Sequence, residues 1–239
     1  MFRSFPKSAL LAIFLPAALS ISVLDAQDKT AKDQVVRNES PTAPGVPAGE
    51  GWTQLFNGKD LSGWKQRNGW AVYRIEEGTI VGTTAKESPN SFLCTAADYS
   101  DFELRFEVKV DNELNSGVQF RSKSLPEKDN GRVHGPQVEI EASPGEAGYI
   151  YGESTGRNWI SPTQPVHSTL KNNEWNQYHV RAIGTRLQTW INGKLIEDIT
   201  DPQTHMSGFI GLQVHGIGKD QGPFQVKWRN IEIRDLSKK

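Results

Sequence analysis

Residues 101–110 read Asp-Phe-Glu-Leu-Arg-Phe-Glu-Val-Lys-Val, and apolar and charged side chains alternate through this stretch without a break. The apolar residues at every second position from Phe102 to Val110 would lie on one face of a strand, with the charged residues on the other. A period of two over this length predicts a β-strand with one face in a core and the other towards solvent. The stretch therefore predicts that the chain contains a β-sheet with one face packed against a core.

Other segments along the chain have the same strand-like character and are separated by turn signals. Asn192-Gly193 lies between two of them and predicts a hairpin with a two-residue turn. No window has a convincing helical period, so the pattern predicts an all-β fold, a two-sheet jelly-roll β-sandwich. The further segments are 69–75, 79–83, 117–121, 136–141, 177–183, 186–191, 194–199, 208–215 and 224–234.

The composition is that of an ordinary folded protein, with 36% hydrophobic residues and a formal net charge of −1 over 239 residues. Since there is no basic surplus, nucleic acid is not an expected partner. Cys94 is the single cysteine, which excludes an intrachain disulfide and a cysteine-rich zinc site. Its apolar neighbours predict that Cys94 is a packed core residue rather than a nucleophile.

The N-terminus has the layout of a secretory signal peptide, predicted for residues 1–26. Arg3 and Lys7 precede an apolar run at 8–19 that is shorter than the roughly 20 residues of a membrane-spanning helix. An uncleaved N-terminal anchor is the alternative. Residues 27–51 are polar and rich in Pro, Ala and Gly and predict a flexible linker, followed by one β-domain at 52–239. We therefore expect a secreted or periplasmic protein with no membrane span in the mature chain.

Three of the predicted strands carry amide, acidic and imidazole side chains on the face opposite the core. If these strands are neighbours, the side chains form one wall that suits a hydroxyl-rich ligand such as a sugar. The alternative is an ordinary solvated face, because any antiparallel sheet alternates in this way. The predicted wall comprises Asn115, Gln119, Arg121, Gln137, Glu139, Glu141, Gln213 and His215, and the aromatic residues that could stack on a sugar ring are Trp64, Trp70, Tyr149, Tyr151, Trp159 and Trp190.

Two short motifs point to hydrolases but lack an essential part. Residues 152–156 fit the G-x-S-x-G pattern, yet a loop-like stretch follows where the serine elbow needs a helix. The strand from Gln137 to Glu141 resembles the catalytic strand of sandwich glycosidases of the laminarinase type. Its first carboxylate is replaced by the Gln137 amide, which cannot form a glycosyl-enzyme intermediate, so ordinary retaining hydrolysis is disfavoured.

A series of blocks spread over residues 52 to about 236 makes the chain resemble the 3-keto-disaccharide hydrolase domain family (DUF1080). This resemblance implies a concanavalin-like jelly roll, a secreted or periplasmic bacterial protein, and cleavage of glycosides that are oxidised to a ketone at sugar C3. Many relatives carry a Glu-x-Gln strand where this chain has Gln137-Val138-Glu139. The matching blocks are 55–64, 115–118 with Arg121, 135–141, 148–151, 174–176, 190–193, 211–216 and 229–231.

The implied reaction suggests a role for each residue of the wall. A C3 ketone acidifies the proton at C2, a base removes it, and the enolate expels the group at C1, after which water can add. We expect Glu139 to be the base and His215 an acid or second base, with Arg121 and Gln213 donating to the enolate or to hydroxyls. The remaining sugar contacts are expected from Asn115, Gln119, Gln137, Glu141, Tyr151 and Trp159.

The expected partner is thus an oxidised 3-keto saccharide, and the alternative function is a non-catalytic, lectin-like carbohydrate-binding module. No cofactor is expected to be required. The five histidines have no metal-ligand spacing, although a structural calcium ion in a loop is left open.

Overall fold

A computed structural model describes residues 35–38 and 51–237 of the protein, and all regular secondary structure in these ranges is β-strand. The signal peptide predicted for residues 1–26 lies outside the described residues and stays a prediction, as does the export that follows from it. Within the described ranges, no helix has the length and hydropathy that crossing a membrane would require.

The described strands form two antiparallel sheets. The strands are β1 Val36–Arg37, β2 Thr53–Gln54, β3 Trp64–Asn68, β4 Val72–Glu76, β5 Thr79–Thr83, β6 Ser91–Thr95, β7 Phe102–Val110, β8 Ser116–Leu125, β9 Arg132–Ile140, β10 Ile150–Glu153, β11 Asn158–Trp159, β12 Asn176–Ile183, β13 Arg186–Ile191, β14 Lys194–Thr200, β15 Phe209–Val214 and β16 Gln225–Asp235. The nine-stranded sheet has the order β1-β14-β13-β12-β7-β16-β5-β4, with β2 also paired to β16. The seven-stranded sheet has the order β11-β10-β9-β8-β15-β6-β3.

The two sheets pack against each other through their apolar faces, which confirms the predicted all-β sandwich. One continuous core contains Phe106 and Trp228 of the nine-stranded sheet together with Val118, Val138 and Leu212 of the seven-stranded sheet. Each of these five side chains is at most 1% exposed. Because each strand contributes every second side chain to this core, the alternate side chains point to the outer faces of the sandwich.

The stretch at 101–110 forms the strand that its alternation predicts. The apolar residues of β7 are buried, and β7 lies inside the nine-stranded sheet between β12 and β16. Glu103 departs from the pattern because it is also buried, at 5% exposure. Its carboxylate pairs with Arg234 of β16, and Arg181 of β12 lies 3.6 Å away on the other side.

The hairpin predicted at Asn192-Gly193 is also present. Ile191 of β13 pairs with Lys194 of β14, so the turn has two residues. Both have positive φ, 49° at Asn192 and 79° at Gly193. Two successive left-handed residues are the requirement of a type I′ turn, whose twist matches that of the flanking strands.

Several short strands were not predicted from the sequence, among them β2, β3, β10 and β11. The run predicted at 69–75 begins later, at Val72, because residues 69–71 form the corner between β3 and β4. Within the segment predicted to be a linker, Val36–Arg37 forms the two-residue strand β1. It pairs with Ile199 and Thr200 of β14, and the Arg37 guanidinium lies 2.7 Å from the Glu197 carboxylate.

A buried histidine lies on the outer face of the nine-stranded sheet. His179 is 2% exposed and stacks on Trp190 with ring centroids 4.6 Å apart, while the edge of Trp52 packs against it at 6.5 Å. Among the described residues neither ring nitrogen has a hydrogen-bond partner. Burial lowers the His179 pKa to about 4, and the positive charges of Arg181, Arg234 and Arg105 add to this shift.

This histidine is expected to make the fold sensitive to acid. The unfolded chain takes up a proton near pH 6.5 and the folded chain only near pH 4, so the free energy of unfolding falls by about 3 kcal/mol between these values. We expect the H179F variant, which keeps the aromatic stack, to lose this part of the pH dependence. Urea denaturation at pH 7.5 and pH 4.5 measures it, and equal pH dependence in the two proteins would contradict the assignment.

Candidate functional site

The outer face of the seven-stranded sheet brings the predicted wall together. β8 lies between β9 and β15, so the three strands that carry the wall are direct neighbours. Gln119 pairs with Gln137 on one side, and Gly117 lies between Glu139 on β9 and Gln213 on β15. Since these residues face away from the core, their side chains share one surface.

A cavity of about 560 Å³ opens on this surface. Eight of the predicted site residues line it, together with others that the sequence analysis did not include. The predicted ones are Asn115, Gln137, Glu139, Glu141, Tyr151, Trp159, Gln213 and His215, and the additional ones are Asn90, Glu146, Gly152, Glu153, Ser154, Gly156 and Asn158.

Glu139 lies at the bottom of the cavity, and both of its carboxylate oxygens accept hydrogen bonds. The Asn115 amide donates to Oε1, and the Gln137 amide donates to Oε2 over 3.2 Å. Glu139 is 5% exposed, and this burial raises its pKa to about 8, against the two hydrogen bonds, which lower it. A carboxylate of this kind is a stronger base than an ordinary glutamate and exchanges its proton near neutral pH.

Gly117 provides the space that this arrangement needs. A Cβ at position 117 would come within 2.4 Å of the Gln137 carboxamide carbon, which is closer than real Cβ contacts. Gln137 is also held from behind, because Gln119 donates to its Oε1 over 2.8 Å. The glycine therefore lets Gln137 lie flat across β8 with its N–H group directed at Glu139.

Glu153 is a second buried carboxylate of the cavity, and it was missed in the sequence. Its Oε2 accepts from Asn90 over 3.4 Å and from Gln213 over 3.5 Å, and its Oε1 accepts from Ser154 over 3.0 Å. Burial raises the Glu153 pKa, and the hydrogen bond from Ser154 partly offsets this rise. The alternation of Tyr151 and Glu153 on β10 was a signal for this face, but the strand has only four residues.

His215 is the exposed imidazole at the rim of the cavity. Its Nδ1 lies 2.7 Å from the carbonyl oxygen of Gly216, so this nitrogen carries the proton and Nε2 has the free lone pair of the neutral ring. Asn90 fixes the same loop, because its Oδ1 accepts from the Gly216 N–H over 2.9 Å. The cavity thus has an imidazole nitrogen that can accept or donate a proton.

Arg121 was expected on this wall, and the structure places it elsewhere. The pairing of β8 with β9 shifts between Gln119 and Lys123, and Arg121 has a left-handed φ of 48°. This bulge breaks the alternation, and the side chain is fully buried. The guanidinium donates to Asp101 over 2.8 Å and to the carbonyl oxygens of Ser100 and Gly184, at 2.6 and 2.5 Å.

Gln119 also differs from its predicted role. It is fully buried beneath the cavity, where it donates to Gln137 and accepts from Ser122 over 2.6 Å, so it supports the wall without lining it. Among the aromatic candidates, Tyr151 and Trp159 line the cavity with their rings edge to face at 5.4 Å. The other four, Trp64, Trp70, Tyr149 and Trp190, do not line it.

Two other predictions concern reactive side chains. Cys94 is fully buried in a small apolar cluster with Phe92, Val133 and Phe209, as expected of a packed residue, and burial raises its pKa to about 12. Ser154 of the G-x-S-x-G stretch is followed by no helix in the described chain, and its hydroxyl donates to Glu153. Within the described ranges, no group of three or more His, Cys, Asp or Glu side chains is arranged to hold a metal ion.

Comparisons with known proteins agree with this fold. The family model described as 3-keto-alpha-glucoside-1,2-lyase-like domain matches residues 51–234. No curated protein matches the sequence.

Many solved structures share the fold, and at the low identities of the three described below the likeness concerns the fold alone. A presumed glycosyl hydrolase from Parabacteroides distasonis is 22% identical, with 79% of this chain and 95% of that one covered and a TM-score of 0.54. The carbohydrate-binding module CBM66 from Bacillus subtilis is 19% identical, covering 72% and 96%, with a TM-score of 0.55. A Bacillus subtilis protein of unknown function with a galectin-like fold is 11% identical, covering 77% and 94%, with a TM-score of 0.56.

Proposed function

Because this chain belongs to the 3-keto-alpha-glucoside-1,2-lyase-like domain family, we propose that it cleaves glycosides whose sugar ring carries a ketone at C3. The observation that supports this activity best is Glu139, a buried carboxylate with a pKa of about 8 at the base of a polar cavity. Removal of a proton next to a ketone requires a positioned base whose pKa lies near the working pH.

The proposed reaction is an elimination in which the ketone takes the place of a nucleophile. Glu139 removes the C2 proton, and the electron pair of the C–H bond forms an enolate with the C3 carbonyl. The enolate then returns its electrons to form the C1–C2 double bond while the bond from C1 to the leaving oxygen breaks. A water molecule hydrogen-bonded to the free Nε2 lone pair of His215 supplies the proton that this oxygen needs. The hydroxide that remains takes up the proton held by Glu139, and water that adds later across the double bond would give net hydrolysis.

Carboxamide groups take the place that Arg121 was expected to fill. The N–H groups of Asn115 and Gln137 lie on either side of the Glu139 carboxylate, and Gln213 lies across Gly117 from it. We propose that these amides donate to the C3 oxygen and to neighbouring hydroxyls of the sugar as negative charge develops there. Tyr151 and Trp159 provide an apolar wall against which the sugar ring can pack.

The direction of the pH dependence tests the role of Glu139. If Glu139 is the base, only its ionised form is active, so kcat/KM should rise tenfold per pH unit below about 8 and level off above it. The measurement is turnover of a 3-keto-disaccharide between pH 5.5 and 9.5. A rate that falls through this range would make the protonated Glu139 the active form and hence an acid.

The activity itself is tested with the purified protein, a 3-keto-disaccharide and the corresponding unoxidised disaccharide. We expect NMR to show cleavage of the oxidised sugar alone, with the C2 proton absent from the unsaturated product or replaced by deuterium after D₂O has added. Deuterium at C2 reports removal of that proton, which direct displacement at C1 would not cause. Cleavage that leaves the original proton at C2 would contradict the elimination.

A carbohydrate-binding module is the second candidate, because the CBM66 structure has the same fold. In that case the aromatic and amide groups of the cavity would bind unoxidised glycans, and 3-keto sugars would remain intact. The same NMR experiment distinguishes the two functions, since it follows both binding and products.

A further inference from the structure

Four amide groups of the cavity are hydrogen-bonded to its two buried carboxylates, Glu139 and Glu153. The amide nitrogens of Asn115 and Gln137 are directed at Glu139, and those of Asn90 and Gln213 are directed at Glu153. One N–H group of each of these four amides is therefore already directed at a carboxylate. In contrast, Gln213 is 1% exposed, and its Oε1 has no hydrogen-bond partner among the described residues. A buried acceptor without a donor that lines a cavity indicates a ligand that donates.

The charged residues that line the cavity also favour a ligand that donates hydrogen bonds, in particular a cationic one. Four glutamates line it, whereas none of its lining residues in the described chain is a lysine or arginine. His215 is the one lining side chain that can carry a positive charge. A ligand with a full negative charge would thus meet repulsion from the glutamates and find no cationic partner other than His215, while a cationic ligand would relieve the repulsion between the carboxylates.

Glu141 and Glu146 mark the part of the cavity where a cation fits best. The Glu146 backbone N–H donates to the Glu141 carboxylate, so the two residues are held together. Burial and the negative charge of Glu146 both raise the Glu141 pKa. Neither carboxylate forms an ion pair with a described residue. A pair of close carboxylates without a counter-ion is stabilised by an ammonium group, which has only donors.

We propose that the glycoside selected by this cavity carries a protonated amine, which binds at Glu141 and Glu146 in preference to a neutral or anionic substituent. The inference rests on the proposed function in that it assumes a sugar in the cavity. It adds a substrate class, the amino sugars, and excludes sugar acids and phosphorylated sugars as good ligands.

The test compares D-glucosamine with D-glucose, N-acetyl-D-glucosamine and D-glucuronate by calorimetric or NMR titration at pH 7. N-acetylglucosamine is the matched ligand, because it has the same nitrogen without the charge. We expect glucosamine to bind about tenfold more tightly than glucose or N-acetylglucosamine, and glucuronate to bind most weakly. The E146Q variant should lose most of the glucosamine preference. The E127Q variant, in the exposed loop between β8 and β9, should keep it.

The outcomes separate this inference from the proposed function. Equal binding of glucose and glucosamine would overturn the amine preference, while turnover of a neutral 3-keto-disaccharide would leave the proposed function intact. A glucosamine preference that persists in E146Q would overturn the assignment to Glu141 and Glu146. If none of the four sugars binds and no 3-keto sugar is cleaved, both proposals fail.

Discussion

Replacing Glu139 with Gln is expected to lower the turnover of a 3-keto-disaccharide by about 10³-fold or more, since the base that we propose for removal of the C2 proton is lost. The neutral amide has nearly the same shape, and its one oxygen can still accept from either Asn115 or Gln137, so the variant should fold. Steady-state kinetics at pH 8 measure the loss, with E127Q as a matched control at an exposed glutamate. Turnover close to that of the wild type would remove Glu139 from the mechanism.

The same substitution is expected to stabilise the fold in alkaline solution. Because the folded-state pKa of Glu139 is raised from 4.5 to about 8, its contribution is fully present below pH 4.5 and is lost as the pH rises through 8. The loss amounts to about 5 kcal/mol at most, and the uncharged amide of the E139Q variant would not incur it. We therefore expect thermal melts of E139Q and wild type to diverge between pH 5 and pH 9, with E139Q the more stable at pH 9. If the difference in melting temperature between E139Q and wild type were the same at pH 5 and pH 9, ionisation of Glu139 would not destabilise the fold.

Replacing Arg121 with Met is expected to cost about 3 kcal/mol of stability and to leave the cavity intact. The fully buried guanidinium joins β8 to Ser100 and Asp101 before β7 and to Gly184 in the turn after β12. Its removal leaves those carbonyl oxygens without their donor, and Asp101, which is one-third exposed, without its cation. The melting temperature should fall by roughly 10 °C for a domain of this size.

The R74M variant is the matched control for this substitution, because Arg74 forms an exposed pair with Glu76. Exposed pairs contribute little, so we expect R74M to lose less than about 1 kcal/mol. Turnover of R121M, measured well below its melting temperature, should remain within about twofold of the wild type, since no part of Arg121 lines the cavity. A stable R121M protein without turnover would contradict this structural role and show that Arg121 is needed for activity.

Much of the fold and part of the site could be read from alternation along single strands. The pattern in residues 101–110 predicted β7, and the patterns around Gln137 and Gln213 placed the amides and Glu139 on one face. Alternation is a local property that follows from strand geometry, so it holds wherever a strand is regular. The prediction from alternation failed at Arg121, because a bulge with a left-handed residue redirects that side chain. The neighbouring residues carry no sequence signal for this bulge.

The rest of the cavity depends on loops and short strands that only the folded chain brings together. Asn90 precedes β6, and Glu146 lies between β9 and β10, so their approach to Glu139 follows from the path of the chain rather than from a local pattern. Glu153 lies on a four-residue strand flanked by a glycine-rich turn, which is too short for its period to stand out. The burial that raises its pKa, and that of Glu139, is likewise a property of the assembled sheet.

The short strand Val36–Arg37 has a consequence for the integrity of the sandwich. It pairs with part of the free edge of β14, which would otherwise be the last strand of the nine-stranded sheet on that side, and Arg37 neutralises the buried Glu197 there. A chain shortened to begin at Trp52 would leave these backbone groups open and Glu197 uncompensated. Unpaired strand edges of this kind pair with one another, so we expect such a shortened chain to self-associate and precipitate.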